Sequence, residues 1–488
     1  MSTLSVLDAA REVPSQLALT DGSFELCFAE LAERVRERMR RLAPLLEGDP
    51  SSRLVAVATD ESRATIETLL ALMELSIPFF PLHQRTTPAE RDAALASLPL
   101  AWSIDLDGAD ELRLERLASH DSEQARRLLS AAPHLAALAT SGSTGRPRVA
   151  LLARAAFLAS ARASADHLGW RADDRWLLCL PLAHIGGLSV VTRCLVARKP
   201  VVMLPGRSTA SSSERLAEAI VHGAPTLISL VPAQLDGLLE LEPRFVLPRA
   251  VRVILTGGAA ASQRLLAAAA ERGWPILTSY GLTEACSQVA TQRPGTAYDE
   301  RRGVGVPLPG IEVRIEAGVI HIAGPTLASG YIGAGVDETF DAVRGYRTRD
   351  LGRLDAAGEL HVLGRVDDLI ISGGENVAPA EIEGVLQGCP GVLETCVFGV
   401  PDPRWGEAVV AGLRTRVDDT AGLIASAAAE ARRRLAGFRR PKFYVCTREF
   451  AHGKNGKLDR AATVAALSRE LERDPERWRA PAEERTRE

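Results

Sequence analysis

Between about residues 50 and 300, the chain alternates short apolar runs with amphipathic segments of helical length. The run "RLVAVAT" precedes a helical pattern that starts at Ser62, "PTLISLV" precedes "PAQLDGLLELE", and "VRVILTGG" precedes "SQRLLAAAAERG". Two neighbouring parallel strands need a long crossover connection, and an amphipathic helix supplies one. The alternation therefore predicts βαβ units, in which helices cover largely parallel sheets.

The pattern changes twice further along the chain. From Gly303, "GVGVPLPGIEVRIEAGVIHIAGPTL" holds closely spaced strand candidates and Gly/Pro turns, which predicts a small antiparallel sheet or barrel. Beyond residue 366, short helix and strand candidates predict a compact α+β domain. Because 488 residues exceed what one core usually supports, we expect an α/β N-terminal domain (1–365), a small mobile α+β C-terminal domain (366–470) and a disordered, charge-rich tail (471–488).

The balance of charges argues against polyanionic partners. The chain has 58 Lys and Arg against 62 Asp and Glu, a formal charge of −4, so no general attraction to nucleic acid or to an anionic membrane is expected. Its seven cysteines form no CxxC pair, which is typical of reduced thiols in the cytosol. The N-terminus lacks the features of a signal peptide, and Glu74 and Pro78 interrupt the most apolar stretch. We expect a cytoplasmic protein without membrane insertion, whether monomeric or homo-oligomeric.

The stretch "TSGSTGRPR" (140–148) has the composition of an anion-binding loop. Gly142 and Gly145 allow backbone N–H groups to turn toward a ligand, the hydroxyl residues add donors, and Arg146 and Arg148 add charge. The glycine spacing is not that of a Walker loop, and no Lys-Ser/Thr pair follows. A polar surface turn is the alternative, so companion segments must decide.

A second turn, in "ILTSYGLTEACSQVAT" (276–291), presents Tyr280, Thr283 and Glu284. The aromatic ring can stack on a base, and the carboxylate can bind Mg²⁺ beside phosphate oxygens. A lone solvated glutamate is the alternative for this segment taken alone. Together with the loop at 140–148, the turn predicts a nucleotide site.

Four segments in order, "TSGSTGRPR", "YGLTEA", "YRTRDLGRLDAAGELHVLGRVDDLIISGGENVAPAEIEGVL" and "KNGKLDR", resemble the motifs of the adenylate-forming acyl-CoA synthetase superfamily. The resemblance covers about residues 15–465. The segments "LPLAHIGGLSVVTR" and "DDLIISGGENVAPAEIE" are similar to the branch that joins o-succinylbenzoate to coenzyme A in menaquinone biosynthesis. The resemblance implies the adenylate-forming fold and an enzyme that uses ATP, Mg²⁺, coenzyme A and an aryl acid. Such enzymes form an acyl-adenylate and pyrophosphate, and a thiol then displaces AMP.

The resemblance also assigns the ATP site residue by residue. Thr283 and Glu284 would bind the α-phosphate and Mg²⁺, with Glu284 as the metal ligand. Tyr280 and Gly258, in the turn "TGGA", would line the adenine slot. The ribose and phosphates would be held by Asp350, Arg365, Thr140, Ser141, Gly142, Ser143, Thr144 and Gly145.

Two positions depart from the usual motif sequences of the superfamily. Arg148 stands where a lysine is usual, so a planar fork replaces a point charge. The ribose-binding Asp350 lies in "TRD" where the superfamily has "TGD". The loop before the "NGK" segment also differs, because "FAHGK" replaces the common Pro-Arg-Thr.

The resemblance implies that the smaller domain supplies residues for both steps, with Lys457 acting in adenylation. Asp367 matches the hinge, about which the domain would rotate between the two half-reactions. Lys457 matches the lysine that bridges the substrate carboxylate and the α-phosphate. Gly373 and Gly374 would line the pantetheine tunnel, and Trp405 would either pack on coenzyme A or cap the domain's own core.

The acyl pocket is assigned to His184, Arg193 and Ser229. His184 would orient the incoming carboxylate and gate coenzyme A, although a lone histidine in an apolar run is often structural. An o-succinylbenzoate molecule has a second carboxylate that is not activated, and a buried carboxylate needs a cation or strong donors. We expect Arg193 and Ser229 to bind it.

Three alternatives are kept for the function. The acid could be a plain benzoate or halobenzoate, which would leave Arg193 without a partner. The protein could load a carrier protein instead of coenzyme A, or it could be a non-catalytic nucleotide-binding relative. Glu284, Asp350, Asp367 and Lys457 are all present, which argues against the last alternative.

Overall fold

The computed structural model describes residues 3–46, 54–107, 111–117, 127, 129–140, 148–205, 211–241, 243, 245–332, 340–341, 344–453 and 458–481. Its helices are α1 (Val6–Glu12), α2 (Phe28–Arg41), α3 (Arg63–Glu74), α4 (Pro88–Ser97), α5 (Arg154–Leu168), α6 (Ile185–Ala197), α7 (Ser212–Gly223), α8 (Pro232–Leu239), α9 (Gln263–Glu271), α10 (Pro379–Leu386), α11 (Thr420–Arg434) and α12 (Arg460–Arg473). Its strands are β1 (Leu17–Thr20), β2 (Glu25–Cys27), β3 (Leu54–Thr59), β4 (Phe79–His83), β5 (Leu100–Asp107), β6 (Glu111–Arg116), β7 (His134–Thr140), β8 (Arg148–Ala153), β9 (Trp176–Leu178), β10 (Val201–Met203), β11 (Leu227–Leu230), β12 (Val253–Thr256), β13 (Ile276–Leu282), β14 (Ser287–Thr291), β15 (Val306–Pro307), β16 (Glu312–Glu316), β17 (Val319–Ala323), β18 (Gly330–Ile332), β19 (Phe340–Asp341), β20 (Gly345–Leu354), β21 (Leu360–Arg365), β22 (Ile370–Ser372), β23 (Glu375–Val377), β24 (Val392–Asp402), β25 (Gly406–Thr415) and β26 (Phe443–Thr447). Across these described ranges, no helix is long and apolar enough to cross a membrane.

One large sheet carries most of the predicted βαβ units. Its strand order is β15-β14-β13-β12-β11-β9-β10-β1-β2. The strands β13, β12, β11, β9, β10 and β1 run parallel to one another, while the pairs β13-β14, β14-β15 and β1-β2 are antiparallel. Between strands the chain forms helices, and α9 begins where Ser262 accepts a hydrogen bond from the Leu265 N–H. The parallel arrangement predicted from the alternation is confirmed.

A second sheet follows the order β18-β8-β7-β4-β3-β5-β6. Its central strands β7, β4, β3 and β5 are parallel, and β8 and β18 add antiparallel pairs beside β7. Helix α3 begins at the predicted place, because Ser62 caps it by accepting a hydrogen bond from the Thr65 N–H. Buried side chains of this helix and sheet, among them Leu69 and Phe79, join the main core.

The antiparallel region after Gly303 is an open sheet in the described residues, with the order β16-β17-β20-β19 and with β21 paired to β20. The pairing places Asp350 of β20 directly opposite Arg365 of β21. The sheet therefore brings two predicted ribose contacts together.

The C-terminal residues form a separate α+β unit with its own core. Its sheet has the order β23-β22-β25-β24, and β26 pairs with β25. Buried side chains from Ile370 to Trp478 form this core, including Val397, Val410 and Tyr444. The adenylate-forming fold expected from the resemblance, a large α/β domain with a small α+β domain, is confirmed.

The segment after residue 470 differs from the disordered tail that its charges predicted. Helix α12 continues to Arg473, and the Trp478 side chain is only 2% exposed within the small domain's core. The backbone of Tyr444 also donates a hydrogen bond to the Trp478 carbonyl. One large aromatic ring buries enough apolar surface to order this stretch despite its charged neighbours. Residues 482–488 lie outside the described part.

Candidate active site

The carboxyl ends of three parallel strands, β11, β12 and β13, form one edge of the large sheet. Leu230 lies beside Thr256, and Thr256 lies beside Thr278. Gly257 donates its N–H to the Leu230 carbonyl over 3.2 Å, and Gly258 has a φ of 79°. The turn "TGGA" therefore lies beside the strand that presents Tyr280. Ligands of open α/β sheets bind at this kind of edge.

Asp350 contacts both Tyr280 and Arg365, and all three residues were predicted for the ribose and adenine site. The Tyr280 hydroxyl donates to Asp350 Oδ2 over 2.6 Å, and Arg365 Nη1 lies 3.6 Å from Asp350 Oδ1. Burial, followed by the negative charge of Asp350, raises the pKa of Tyr280 well above its usual value. Tyr280 thus stays a hydrogen-bond donor to Asp350 at neutral pH.

Glu284 lies in a single 3-10 turn, Thr283–Ala285, directly after β13. The turn requires Gly281, because a Cβ there would lie 2.1 Å from the Ser287 carbonyl oxygen. The Glu284 side chain is 8% exposed, and its Oε1 accepts a hydrogen bond of 2.6 Å from the Tyr331 hydroxyl. No described residue hydrogen-bonds to Oε2, which leaves an oxygen that suits Mg²⁺.

The described residues hold no group of three or more His, Cys, Asp or Glu that could bind a metal ion unaided. A Mg²⁺ ion at Glu284 would thus take its other ligands from phosphate oxygens and water, which is the usual arrangement for this ion. The donor set therefore fits Mg²⁺ that arrives with a nucleotide.

Tyr331 is a site residue that the sequence reasoning missed. Its hydroxyl contacts Glu284 and lies 3.0 Å from the Tyr346 hydroxyl, and its ring lies 5.4 Å from Arg148 Cζ. Burial and the nearby Glu284 charge raise the pKa of Tyr331. The chain has only five tyrosines, and three of them occur at this site, a bias that could have pointed to it.

The flanks of the predicted phosphate loop are described. Thr140 pairs with Arg148 across β7 and β8, and the Thr140 hydroxyl donates to the Arg148 carbonyl over 3.3 Å. Strand β18 then places Tyr331 opposite Ala150. The loop residues themselves lie outside the described ranges: Ser141, Gly142, Ser143, Thr144 and Gly145.

The predicted acyl pocket contains a buried cation. Arg193, on α6, is 3% exposed, and its Nε and Nη2 have no hydrogen-bond partner among the described residues. Burial lowers its pKa to about 10, so the guanidinium stays charged at neutral pH. Its Cζ lies 5.5 Å from the Trp176 ring, and the Trp176 indole donates to Ser229 Oγ over 3.0 Å. Trp176, which the sequence reasoning missed, thus connects the two predicted pocket residues.

His184 precedes α6 directly and is partly buried. Its ring centroid lies 5.9 Å from that of His83, at the end of β4. The predicted gating histidine therefore lies between the two large sheets, with a second imidazole beside it.

The predicted hinge residue lies in a short 3-10 turn, Val366–Asp368, between β21 and β22. Asp367 Oδ2 accepts a hydrogen bond of 2.9 Å from Arg349 Nη1 and lies 3.7 Å from Arg365 Nη2. Arg349 replaces the glycine of the superfamily's "TGD" motif. This arginine thus forms an ion pair with the predicted hinge residue Asp367.

Gly373, Gly374 and Trp405 form a separate group on the small domain. The two glycines have φ angles of 63° and 82°, and Gly373 donates its N–H to the Trp405 carbonyl over 2.8 Å. Trp405 is partly buried, with Arg404 Cζ and Lys442 Nζ both within 5 Å of its ring centroid. Lys457 lies outside the described residues, whereas Leu458 beside it forms an isolated bridge with His452.

The fold and the nucleotide-type site are those of an adenylate-forming enzyme. Residues 6–332 match the AMP-binding enzyme family, and residues 381–457 match the AMP-binding enzyme C-terminal domain. The chain belongs to the AMP-binding enzyme family. This confirms the resemblance drawn from the four motifs.

Within the family, the chain is similar to 2-succinylbenzoate–CoA ligases. The Enterococcus faecalis ligase is 30% identical over 433 residues, which cover 84% of this chain and 87% of that protein.

Two structures of one Bacillus subtilis protein allow a closer comparison. The o-succinylbenzoate CoA synthetase (MenE) in complex with the acyl-adenylate intermediate OSB-AMP gives a TM-score of 0.81 at 28% identity, covering 94% of this chain and 97% of that one. A double mutant of this synthetase, bound with the product analogue OSB-NCoA, gives 0.66 at 28% identity, covering 95% and 98%. The described arrangement is thus more similar to the acyl-adenylate complex than to the product-analogue complex.

Proposed function

We propose that the protein is an ATP-dependent ligase that joins 2-succinylbenzoate to coenzyme A through an acyl-adenylate. The observation that supports this acid is the buried guanidinium of Arg193, whose Nε and Nη2 have no partner among the described residues. A buried charge is costly unless it is paired. A second carboxylate on the substrate would pair with it, whereas a plain benzoate would not. The similarity to 2-succinylbenzoate–CoA ligases supports the same acid.

In the first step, the acid's carboxylate oxygen attacks the α-phosphorus of ATP and pyrophosphate leaves. Asp350 would accept from the ribose hydroxyls, Tyr280 would lie along the adenine, and Thr283 would donate to the α-phosphate. Mg²⁺ held at Glu284 would supply charge stabilisation for the phosphates. Lys457 would bridge the carboxylate and the α-phosphate as charge moves between them.

The remaining phosphate contacts would come from the loop that begins at Thr140 and ends at Arg148. Arg148 brings a positive charge to the end of this loop, where the departing pyrophosphate gathers charge. Its guanidinium lies over the Tyr331 ring, so a contact of cation–π type would hold it in place.

In the second step, the thiol of coenzyme A attacks the carbonyl carbon and AMP leaves. We propose that the small domain, predicted at residues 366–470 and extended by its core to Trp478, rotates about Asp367 between the two steps. The turn at Gly373 and Gly374 would admit the pantetheine arm, because no side chains project from it. Trp405, flanked by Arg404 and Lys442, would pack on a negatively charged part of coenzyme A.

His184 would orient the acid's reacting carboxylate at the mouth of the pocket. We further propose that the protein acts in the cytoplasm, where its substrates ATP and coenzyme A are found.

The experiment that tests the proposal is ATP-dependent pyrophosphate release over a panel of acids. 2-Succinylbenzoate, benzoate and a halobenzoate would be compared, each with and without coenzyme A. We expect the highest kcat/KM with 2-succinylbenzoate, and product thioester only when coenzyme A is present. A higher kcat/KM with a monocarboxylate would contradict the assigned acid, and pyrophosphate release without thioester formation would point to a carrier protein as acceptor.

A further inference from the structure

The indole of Trp176 lies between the two side chains assigned to the substrate's second carboxylate. Trp176 begins β9, is 1% exposed, and lies opposite Leu227 of the neighbouring strand β11. Because side chains alternate along a strand, Ser229 projects from the same face as Leu227. The indole Nε1 reaches Ser229 Oγ over 3.0 Å, and Arg193 Cζ lies 5.5 Å from the ring centroid.

The bond from Trp176 excludes one direction for the hydroxyl hydrogen of Ser229. An indole N–H is a donor only, so Ser229 Oγ must be the acceptor in this contact. The hydroxyl hydrogen of Ser229 cannot point toward Trp176 and is available to another acceptor. A hydrogen-bonded tryptophan therefore turns Ser229 into a donor for a ligand.

The same ring restrains the guanidinium of Arg193. The contact of cation–π type holds the group against the ring face, while Nε and Nη2 have no partner in the described part of the chain. The thiols nearest to it, Cys194 and Cys286, are buried and neutral, because burial raises the pKa of Cys286 to about 12 and that of Cys194 further. No acidic side chain among the described residues forms an ion pair with Arg193.

We propose that Trp176 is a positioning residue that sets the acid specificity, by aiming the Ser229 hydroxyl and the Arg193 guanidinium at the second carboxylate of a dicarboxylic aryl acid. This inference rests on the proposed function, and it adds the residue that makes the pocket selective. An acid without a second carboxylate would leave the directed donors unsatisfied, and unsatisfied buried groups reduce affinity strongly.

Trp176→Phe tests the inference, because it keeps a ring beside Arg193 and removes the N–H. We expect the KM for 2-succinylbenzoate to rise about tenfold, with a much smaller change in kcat and less than a twofold change in the KM for ATP. Ser229→Ala should raise the same KM by a similar factor. In the double variant the two factors should not multiply, because both changes remove one shared hydrogen bond.

Trp170→Phe is the matched control. Trp170 packs edge-on against Trp176 at 5.7 Å between centroids, but the described hydrogen bond to the Ser229 hydroxyl comes from Trp176. The control should leave the KM for 2-succinylbenzoate within twofold of the wild type. Thermal unfolding of each variant, together with its KM for ATP, separates a pocket effect from a loss of folding.

Two results would overturn the inference. If the wild type uses 2-succinylbenzoate and Trp176→Phe leaves its KM unchanged, or if the two single effects multiply in the double variant, Trp176 does not position Ser229 while the proposed function stands. If the wild type prefers a monocarboxylate, the proposed function fails, and the inference fails with it.

Discussion

The ion pair between Arg349 and Asp367 predicts how the balance between the two half-reactions can be shifted. Arg349 Nη1 lies 2.9 Å from Asp367 Oδ2, and the two side chains are 32% and 30% exposed. The hydrogen bond to Asp367 raises the pKa of Arg349. If the small domain rotates about Asp367 as proposed, the pair should stabilise the described orientation, which is more similar to the acyl-adenylate complex of the Bacillus subtilis synthetase than to its product-analogue complex.

The size of the effect follows from the exposure of the pair. A partly exposed ion pair contributes about 0.5–1 kcal/mol, which corresponds to roughly a two- to fivefold change in an equilibrium constant. Arg349→Ala should therefore raise the population of the minor, thioester-forming orientation by about that factor. If the described orientation is the major one, its population should change much less.

Separate assays of the half-reactions measure this shift. Single-turnover pyrophosphate release reports adenylation, and thioester formation from supplied acyl-adenylate and coenzyme A reports the second step. With Arg349→Ala, the second step should become two- to fivefold faster, while adenylation changes less than twofold. Added salt should speed the second step of the wild type and have less effect on the variant, because salt screens exposed pairs.

Arg347→Ala is the control, since Arg347 is exposed on the same strand, two residues away. Its two half-reactions should match those of the wild type. A second step that is unchanged in Arg349→Ala, or equal changes in both half-reactions, would refute the argument that this pair holds one domain orientation.

Three further predictions concern the nucleotide site. Tyr331→Phe removes the 2.6 Å hydrogen bond to Glu284. The Mg²⁺ concentration needed for half-maximal ATP binding should therefore rise several-fold in calorimetric titrations. Tyr298→Phe, at the surface, is the control. Asp350→Ala removes the proposed ribose acceptor and should raise the Kd for ATP more than tenfold; an unchanged Kd would exclude Asp350 from the site. Lys457→Ala should abolish acyl-adenylate formation while it spares thioester formation from supplied adenylate, and equal loss of both steps would contradict its assigned role.

The elements of the fold were predictable because their signals are local. Ser62 and Ser262 stand where helices begin, and each accepts the backbone hydrogen bond that a cap must accept. Tyr280 and Asp350 were predicted to share one site from motif wording alone, and they are in direct contact. Hydrophobic periodicity and motif sequences extend over a few neighbouring residues, so they can be recognised without knowledge of the tertiary structure.

The contacts that the sequence did not predict join residues far apart in the chain. Tyr331 contacts Glu284 across 47 residues, and Trp176 contacts Ser229 across 53 residues. Nothing in the sequence around Tyr331 or Trp176 identifies the partner residue, because each pair is brought together only by the tertiary fold. At Trp478 the local composition was misleading. The charged residues around it predicted disorder, whereas the ring is buried in the core of the small domain.

The proposed hinge and the proposed ribose site are connected by one row of alternating charges. Asp350 lies beside Arg365, Arg365 lies beside Asp367, and Asp367 lies beside Arg349. Ribose hydroxyls bound at Asp350 would compete with Tyr280 and Arg365 for the same carboxylate oxygens. If Arg365 turns toward a bound nucleotide, its 3.7 Å contact with Asp367 weakens first, because that contact is longer than the 2.9 Å contact from Arg349. Arg349 then keeps the hinge carboxylate paired, which a glycine at this position could not do. We therefore expect Arg349 to make the proposed hinge less dependent on whether the proposed nucleotide site is filled.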